Sequence, residues 1–221
     1  MTYNLLILLG GKSSRFGGDL NKVYCLINNK PVFLYSLDKF LLFKEIEKIV
    51  IVYNENDYDL LKKYISNYND PRIELCVGGK ERYDSVMNGL QKLSCDKVIV
   101  HDGARPNVSL DAIRDVIDAS KENECVTLGY PMTDTVKRFD GDTLVTIDRN
   151  NLYTIQTPQI TDLNLLKECL GKIKKEDNIT DDLMAIEKYS NVKPKIITGN
   201  KFNYKLTTSE DLELLKLLLG E

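Results

Sequence analysis

The chain has 221 residues and a formal net charge of −3 at pH 7, because 30 Lys and Arg residues nearly balance 33 Asp and Glu residues. Hydrophobic residues make up 43% and charged residues 29%, which is typical of a globular domain with its own core. The balanced charge argues against a nucleic-acid partner, since general nucleic-acid binders carry a strong basic excess. An anionic ligand must therefore be held by local basic groups.

The longest apolar runs, such as 5–9 and 49–52, are far shorter than the roughly 20 residues that span a bilayer. Met1 leads directly into a strand-like run, without the cationic segment of a signal peptide. His101 is the only histidine, which argues against a Cys/His zinc site. We therefore expect a cytoplasmic protein without a membrane partner. Reduced thiols are expected as well, because the cysteines are odd in number, scattered and lack C-x-x-C spacing: Cys25, Cys76, Cys95, Cys125 and Cys169.

Short β-rich runs alternate with helical patterns in the first 130 residues. The β-rich runs span 3–9, 48–53, 72–77, 97–101 and 125–129, and the helical patterns span 32–43, 57–68, 81–93 and 111–120. Repeated strand-then-helix units predict an α/β, Rossmann-like fold with a mostly parallel mixed sheet and helices on both faces. Ligands of such sheets lie beyond the carboxyl ends of the strands. The loops at 10–11, 78–79 and 102–103 are therefore the first candidates for a site.

A different pattern follows at 133–154, where β-rich runs at 135–139 and 143–147 flank Asp140-Gly141-Asp142. An Asp-Gly pair between such runs predicts a β-hairpin. The pattern leaves two interpretations equally open: an arm that projects and packs on a partner subunit, or an antiparallel extension of the sheet. Helical patterns at 162–170, 181–188 and 209–219 and a β-rich run at 193–197 complete the chain. No repeat or long linker is visible, so we predict a single domain over 1–221, with 132–154 as the arm.

The first chemical signal is the glycine-rich loop at 9–18. Glycines after a strand let backbone N–H groups approach a phosphate chain closely, and Arg15 and Lys22 add positive charge. Leu6 stands where the first glycine of a Walker A loop is required, so the loop is of another type. By itself this segment is equally compatible with a flexible loop carrying two solvated cations.

Two further signals follow predicted strands. In the segment 78–85, free N–H groups at a helix start, with Ser85 in the next turn, could recognise the edge of a base, although the segment taken alone favours a plain turn and N-cap. Asp102, in the segment 101–106, is placed to hold a Mg²⁺ ion that bridges phosphates, and Arg105 could pair with a phosphate. The alternative is an internal Asp102–Arg105 salt bridge. We interpret His101 as a half-buried residue at a strand end, not as a catalyst.

Five more motifs are uninformative singly: D-T-V-K-R at 134–138, D-R-N at 148–150, T-P-Q at 157–159, I-T-D-D at 179–182 and K-L-T at 205–207. Taken in order with the three segments above, they resemble the 2-C-methyl-D-erythritol 4-phosphate cytidylyltransferases of the non-mevalonate isoprenoid pathway. The resemblance extends from Leu9 to Leu212. It implies a nucleotidyltransferase (GT-A-like) fold, a projecting arm, a homodimer, and Mg²⁺ or another divalent cation as cofactor.

The resemblance also implies roles for individual residues. Arg15, Lys22 and Lys205 would be catalytic, and Asp102 would hold the metal. The nucleotide, CTP, would be bound by Leu9, Gly10, Gly11, Gly79, Ser85 and Asp102. The acceptor, a polyol phosphate, would be bound by Arg105, Thr135, Arg149 and Thr157, with Thr135 and Arg149 reaching in from the second subunit's arm.

The chain departs from the family's usual pattern at three positions. Asn21 stands before Lys22 in place of proline, Ser13 stands in place of a second loop glycine, and Gly103 stands in place of alanine. Two other functions remain open. One is a ribitol-5-phosphate or other sugar-phosphate cytidylyltransferase, which would make a CDP-activated polyol for cell-wall or surface polymers. The other is a catalytically silent nucleotide-binding subunit, against which the joint presence of Arg15, Lys22, Asp102 and Lys205 argues.

Overall fold

A computed structural model of the chain describes residues 1–10, 16 and 21–220. The strands in this part are β1 (Tyr3–Leu8), β2 (Leu26–Ile27), β3 (Lys30–Pro31), β4 (Ile46–Tyr53), β5 (Ile73–Val77), β6 (Lys97–Asp102), β7 (Cys125–Pro131), β8 (Val136–Asp140), β9 (Thr143–Ile147), β10 (Tyr153–Asp162) and β11 (Lys195–Thr198). The α-helices are α1 (Val32–Leu41), α2 (Tyr58–Ile65), α3 (Arg82–Leu90), α4 (Leu110–Ser120), α5 (Leu163–Gly171), α6 (Asp182–Tyr189) and α7 (Ser209–Leu219). These helices have at most 11 residues, too few to cross a bilayer.

Seven strands form one central sheet in the order β11-β7-β10-β6-β1-β4-β5. Strands β5, β4, β1 and β6 are parallel to one another, and β7 is parallel to β11. Only β10 runs antiparallel, between β6 and β7. The predicted mostly parallel mixed sheet is therefore confirmed.

Each face of the sheet buries its own hydrophobic core, because side chains of a strand point alternately to the two faces. In β1, Leu5 and Ile7 belong to one core, which is covered by apolar residues of α1, α2, α4 and α7. Leu6 and Leu8 belong to the other core, which is covered by α3, α5 and α6. Strands buried on both faces are nearly continuously apolar, which explains the runs in the sequence.

Strand β10 was not predicted from the sequence. Its register shifts between Ile155 and Gln159, and the Thr157–Pro158 peptide bond between them is cis. A proline cannot donate to a sheet ladder, so this segment does not have the pattern of a central strand. The polar residues at 156, 157 and 159 are nevertheless buried, which places hydrogen-bonding groups inside the sheet.

The segment β8–β9 forms a two-stranded sheet of its own. Asp140 pairs with Thr143 across a turn in which Gly141 has a φ of +63°, a conformation that glycine adopts readily. Nearly every residue of the two strands is exposed, including Phe139 and Leu144. The predicted hairpin is confirmed, and the alternative of an antiparallel extension of the central sheet is wrong.

Candidate active site

The candidate site lies at the carboxyl ends of the parallel strands. The last residues of β1 and β6, Leu8 and Asp102, are paired in register. The strand order reverses at β1: β4 and β5 lie on one side of it and β6 lies on the other. Such a reversal of strand order opens a crevice in which α/β sheets bind their ligands. The loops selected from the sequence therefore meet at one edge of the sheet.

Two cavities open at this edge, and the larger cavity has a volume of about 650 Å³. Its walls come from the ends of β1, β4, β5 and β6 and from the segment at 205. The predicted site residues among its lining are Leu9, Gly10, Lys22, Gly79, Ser85, Asp102 and Lys205. Positions as far apart as 9 and 205 are thus brought to one pocket.

A smaller cavity of about 460 Å³ lies beside it. Its walls come from β10, from the segment at 180–187 and from the residues that follow β6. The predicted acceptor residues Arg105 and Thr157 line it. Three of the described residues line both cavities: Arg82, Asp102 and Lys205.

Asp102 is the electrostatic centre of this shared wall. Lys205 Nζ lies 2.8 Å from Asp102 Oδ2, and Arg105 Nε lies 3.6 Å from the same oxygen. Burial by itself raises the pKa of Asp102, but the attraction of Lys205 and of the two nearby arginines outweighs burial and holds that pKa well below its usual range. Asp102 is therefore ionised at neutral pH, and the Asp102–Arg105 ion pair that the sequence left open as an alternative exists.

Arg82 is held by the first residue of α6. Its Nη1 and Nη2 atoms donate to the two carboxylate oxygens of Asp182, at 2.7 and 3.0 Å. The Asp182 side chain is only 3% exposed, so the pair is shielded from water on the carboxylate side. Burial lowers the pKa of Arg82, but the charges of Asp182 and Asp102 outweigh burial and raise that pKa above its usual value.

His101 is completely buried, so the prediction of a half-buried residue was wrong. The Asp102 backbone N–H donates to Thr157 Oγ1 at 3.1 Å, and Thr157 Oγ1 lies 3.1 Å from His101 Nδ1. Because Thr157 Oγ1 already accepts from the Asp102 N–H, we assign its own O–H as the donor to His101 Nδ1. The ring then carries its proton on Nε2, and the Nε2–H donates to Arg105 O at 3.1 Å. Burial lowers the pKa of His101 to about 4, so the ring is neutral and structural.

The segment before α3 is organised by side chain to backbone bonds. The Gly79 N–H donates to Ser85 Oγ at 2.9 Å, and that hydroxyl donates to Glu81 O. Glu81 and Asp84 form a capping box around the helix start. A Cβ on Gly79 would approach Asp84 Cβ to 2.3 Å, so this turn requires glycine. The plain turn and N-cap exist, and they also shape the wall of the larger cavity.

A family model described as IspD, 2-C-methyl-D-erythritol 4-phosphate cytidylyltransferase, matches residues 4–221. A protein of that name from Clostridium botulinum (strain Eklund 17B / Type B) is 38% identical over 220 residues, which are 97% of this chain and 98% of the relative. The chain belongs to this family. Another family member, from Dictyoglomus thermophilum, is 36% identical over 224 residues, which are 98% of this chain and 96% of the relative.

The fold agrees with solved structures of the cytidylyltransferase family. The crystal structure of 4-diphosphocytidyl-2C-methyl-D-erythritol synthase from Anaerococcus prevotii has a TM-score of 0.88 at 30% identity, and the match covers 100% of this chain and 96% of that one. The resemblance stated from the motifs is confirmed. The matches favour the methylerythritol family over the ribitol-5-phosphate alternative.

The structure explains two of the departures from the family's sequence pattern. The Asn21 side chain donates to Leu9 O and to Asp57 Oδ2, both at 2.9 Å, and it caps the 3₁₀-helix Lys22–Tyr24. These bonds anchor the loop where the family's proline would stiffen it. At Gly103 a Cβ would approach Leu9 Cδ2 to 2.4 Å, so glycine leaves room for that leucine. Ser13 lies outside the described residues.

Some predicted cytidylyltransferase site residues do not reach either cavity in this chain. Thr135 and Arg149 are exposed on and beside the arm, and Arg149 Nη1 donates to Thr133 O. Their action on a second subunit's site stays a prediction. Gly11 and Arg15 lie outside the described residues.

Sequence reasoning missed Arg82 and Asp182 as site residues. Both belong to motifs that carried the family resemblance, at 78–85 and 179–182. Their separation of 100 positions gave no sign that they pair. The signal that could have found them was that each motif contains a charged residue, Arg82 or Asp182, to which no role had been assigned.

Proposed function

We propose that the chain transfers the cytidylyl group of CTP to 2-C-methyl-D-erythritol 4-phosphate, giving CDP-methylerythritol and pyrophosphate for isoprenoid biosynthesis. The observation that carries this proposal is the wall of Arg82, Asp102 and Lys205 between two adjoining cavities. A transferase that joins two phosphates needs two pockets that meet at one charged point. The relatives at 36–38% identity that bear this activity in their names support the choice of substrates.

In this proposal CTP occupies the larger cavity. Its volume of about 650 Å³ is within the usual range for a small-molecule site. Gly10 and Lys22, which line this cavity, face the triphosphate, and Gly79 and Ser85 face the base. The contacts with the triphosphate expected of Gly11 and Arg15 stay predictions of the sequence. The glycine-rich sequence of the loop and the positive charge of Lys22 support a polyanion as the ligand.

The acceptor occupies the smaller cavity, whose lining includes Arg105 and Lys205 as phosphate-binding cations. Arg105 also donates to Asn203 O at 2.9 Å, which fixes its position. The hydroxyl of Thr157 is directed to His101, so we assign Thr157 the task of holding Asp102 and His101 at the acceptor's side.

The arm completes the acceptor site of a second subunit in a homodimer. The exposed apolar side chains Phe139, Leu144 and Val145 support this arrangement, because an arm that stays in solvent gains nothing from them. Thr135 and Arg149 then bind the acceptor phosphate of the partner's site. The single-domain organisation and the cytoplasmic location stay predictions of the sequence.

The reaction needs little proton transfer. The nucleophile is an oxygen of the acceptor's phosphate, which is ionised near pH 7 because its second pKa is about 6. That oxygen forms a bond to the α-phosphorus of CTP, while the bond from this phosphorus to the bridging oxygen breaks and pyrophosphate leaves with the electron pair. A general base is unnecessary, in keeping with a neutral, buried His101.

The main obstacle is electrostatic. Two unit charges 4 Å apart repel by about 4 kcal/mol at an effective dielectric constant near 20. Lys22, Lys205 and Arg15 would offset this repulsion and stabilise the charge on the transferring phosphoryl group. The protein's contribution is thus the positioning of two anions and the placement of cations around them.

The residues present fit a Mg²⁺ ion bound largely through CTP. In residues 1–10, 16 and 21–220, no three His, Cys, Asp or Glu side chains are grouped to hold a metal by themselves. Mg²⁺ commonly takes one or two carboxylates plus substrate phosphates. The Asp102 carboxylate suits this role, since Lys205 pairs with Oδ2 and Arg82 Nη2 lies 3.8 Å from Oδ1, beyond hydrogen-bonding distance. Mg²⁺ or another divalent cation would neutralise phosphate charge there.

Pyrophosphate release from CTP tests the proposed function. The purified chain is incubated with CTP and a divalent cation, and with 2-C-methyl-D-erythritol 4-phosphate, ribitol 5-phosphate or no acceptor. We expect release only with the methylerythritol phosphate. Faster pyrophosphate release with ribitol 5-phosphate would identify that compound as the acceptor. No release with any acceptor would indicate a catalytically silent subunit.

A further inference from the structure

Arg82 lies where the two reacting phosphates must meet. The new bond joins an oxygen in the smaller cavity to a phosphorus in the larger one, so it forms at the wall common to both. Arg82 is one of the three described residues in that wall, and its side chain is 28% exposed. It is the first residue of α3, which places it directly after the turn at Gly79.

Asp182 fixes the orientation of the Arg82 guanidinium from the side that faces away from the cavities. The two parallel bonds to the Asp182 carboxylate fix the plane of the guanidinium as well as its distance. Arginine has five N–H donors, and these bonds use one on each Nη atom. Asp182 lines neither cavity, whereas Arg82 lines both. The remaining donors of Arg82 are therefore available on the side that faces the cavities.

Arg82 also sets the net charge of the ion-paired cluster to which it belongs. Five side chains are linked by ion pairs at the shared wall: Arg82, Asp102, Arg105, Asp182 and Lys205. Three cations and two anions give this cluster a net charge of +1. Without Arg82 the charge would be zero, although two phosphate groups must be brought together there.

We propose that Arg82 is a catalytic residue that contacts the phosphates at the shared wall and stabilises the transferring phosphoryl group, and that Asp182 is a positioning residue that holds it. This inference rests on the proposed function. It adds to the predicted cations a guanidinium whose orientation is fixed before the substrates arrive. Donors of this kind act most strongly when they need no reorganisation during the reaction.

Arg82→Gln tests this proposal, because glutamine can still donate to Asp182 while the positive charge is removed. Arg72→Gln is the matched control. Arg72 also pairs with a neighbouring carboxylate, with Nη2 2.8 Å from Asp70 Oδ2, but it lines neither cavity. Its guanidinium instead holds the backbone carbonyls of Leu41, Phe43 and Ile46.

The measurement is the rate of the first turnover at saturating CTP and acceptor, together with both KM values and the melting temperature. We expect Arg82→Gln to slow this rate by about 100-fold, the effect of removing one transition-state donor, with both KM values within about threefold of wild type. Asp182→Asn should slow it about tenfold, since the charge remains but its orientation is lost. Arg72→Gln should lower the melting temperature and leave the rate within about twofold.

Two results would overturn the proposal. One is an Arg82→Gln rate within about threefold of wild type, and the other is a rise in both KM values at an unchanged rate, which indicates a structural or ground-state role. An inactive wild-type chain would instead refute the proposed function and this inference together. The two failures are therefore distinguishable.

Discussion

Individual residues at the site serve two purposes at once: they form hydrogen bonds with other residues of the chain, and they shape a cavity wall. Ser85 accepts from Gly79 and donates to Glu81, and Thr157 accepts from Asp102 and donates to His101. Because their hydroxyls are engaged inside the protein, these residues are fixed before a ligand binds. Preorganisation of this kind lowers the entropy that binding must overcome.

Asn21 should control CTP binding through the position of Lys22. Asn21→Ala removes the bonds to Leu9 O and Asp57 and the cap of the short helix that contains Lys22. A lost cap costs about 1 kcal/mol, so we expect KM for CTP to rise about fivefold, with a small change for the acceptor. Steady-state kinetics measure both values. An unchanged KM for CTP would show that Lys22 is positioned without Asn21.

The buried, neutral His101 should make the protein less stable in acid. Its pKa in the folded chain is about 4, below the value of about 6.5 expected when unfolded. Between these two values the unfolded chain binds the extra proton, so stability falls as the pH is lowered through this window, by up to about 1.4 kcal/mol per pH unit. Above pH 6.5 this contribution is constant.

Thermal unfolding from pH 7 to pH 4.5 measures this effect, with His101→Gln as the comparison because glutamine does not titrate. The variant's melting temperature should depend less steeply on pH than that of the wild type. Parallel curves for the two proteins would exclude His101 as the source of the acid sensitivity.

Among the elements, the arm differs from the rest in having no core of its own. Strands β8 and β9 pair only with each other in the described sheets, and Phe139 and Leu144, opposite one another, are 69% and 64% exposed. An isolated two-stranded hairpin is marginally stable in water. A partner surface would bury its apolar residues, which is the physical reason to expect a homodimer.

Mixed dimers test whether the arm acts on a second subunit. Co-expression of Arg149→Ala and Lys22→Ala chains, each inactive as a homodimer, should restore about a quarter of wild-type activity if assortment is random, because one site of each mixed dimer keeps both residues. Differently tagged chains allow the mixed species to be isolated and assayed. If the isolated mixed dimers are inactive, Arg149 acts on its own subunit or on neither.

At the scale of the whole molecule, the site is formed by segments that are far apart in the chain. Lys22 follows β1 and Lys205 precedes α7, yet both line the larger cavity with Asp102. Each is held by a different part of the fold, so ligand affinity and folding are coupled. A ligand that binds only the folded chain stabilises it by about 2.7 kcal/mol at 100 times its Kd.

CTP should therefore raise the melting temperature of the wild-type chain, and Lys22→Ala and Lys205→Ala should each reduce that rise by at least half. The comparison is made between ligand-bound and ligand-free samples of the same variant, which removes any direct effect on stability. Lys44→Ala, which changes a lysine that does not line either cavity, is the control. A full CTP-induced rise in both variants would remove these lysines from the nucleotide site.

The sequence by itself determined the alternation of strands and helices, the hairpin at Gly141 and, through eight ordered motifs, the family. These features depend on local periodicity, turn chemistry and residue identity, all of which can be read from short segments of the sequence. The tertiary structure alone decided the antiparallel insertion of β10 between β6 and β7, the complete burial of His101 and the pairing of Arg82 with Asp182. Each of these arises between residues distant in sequence, where the gain from burying one group or pairing two charges depends on what the folded chain brings beside it.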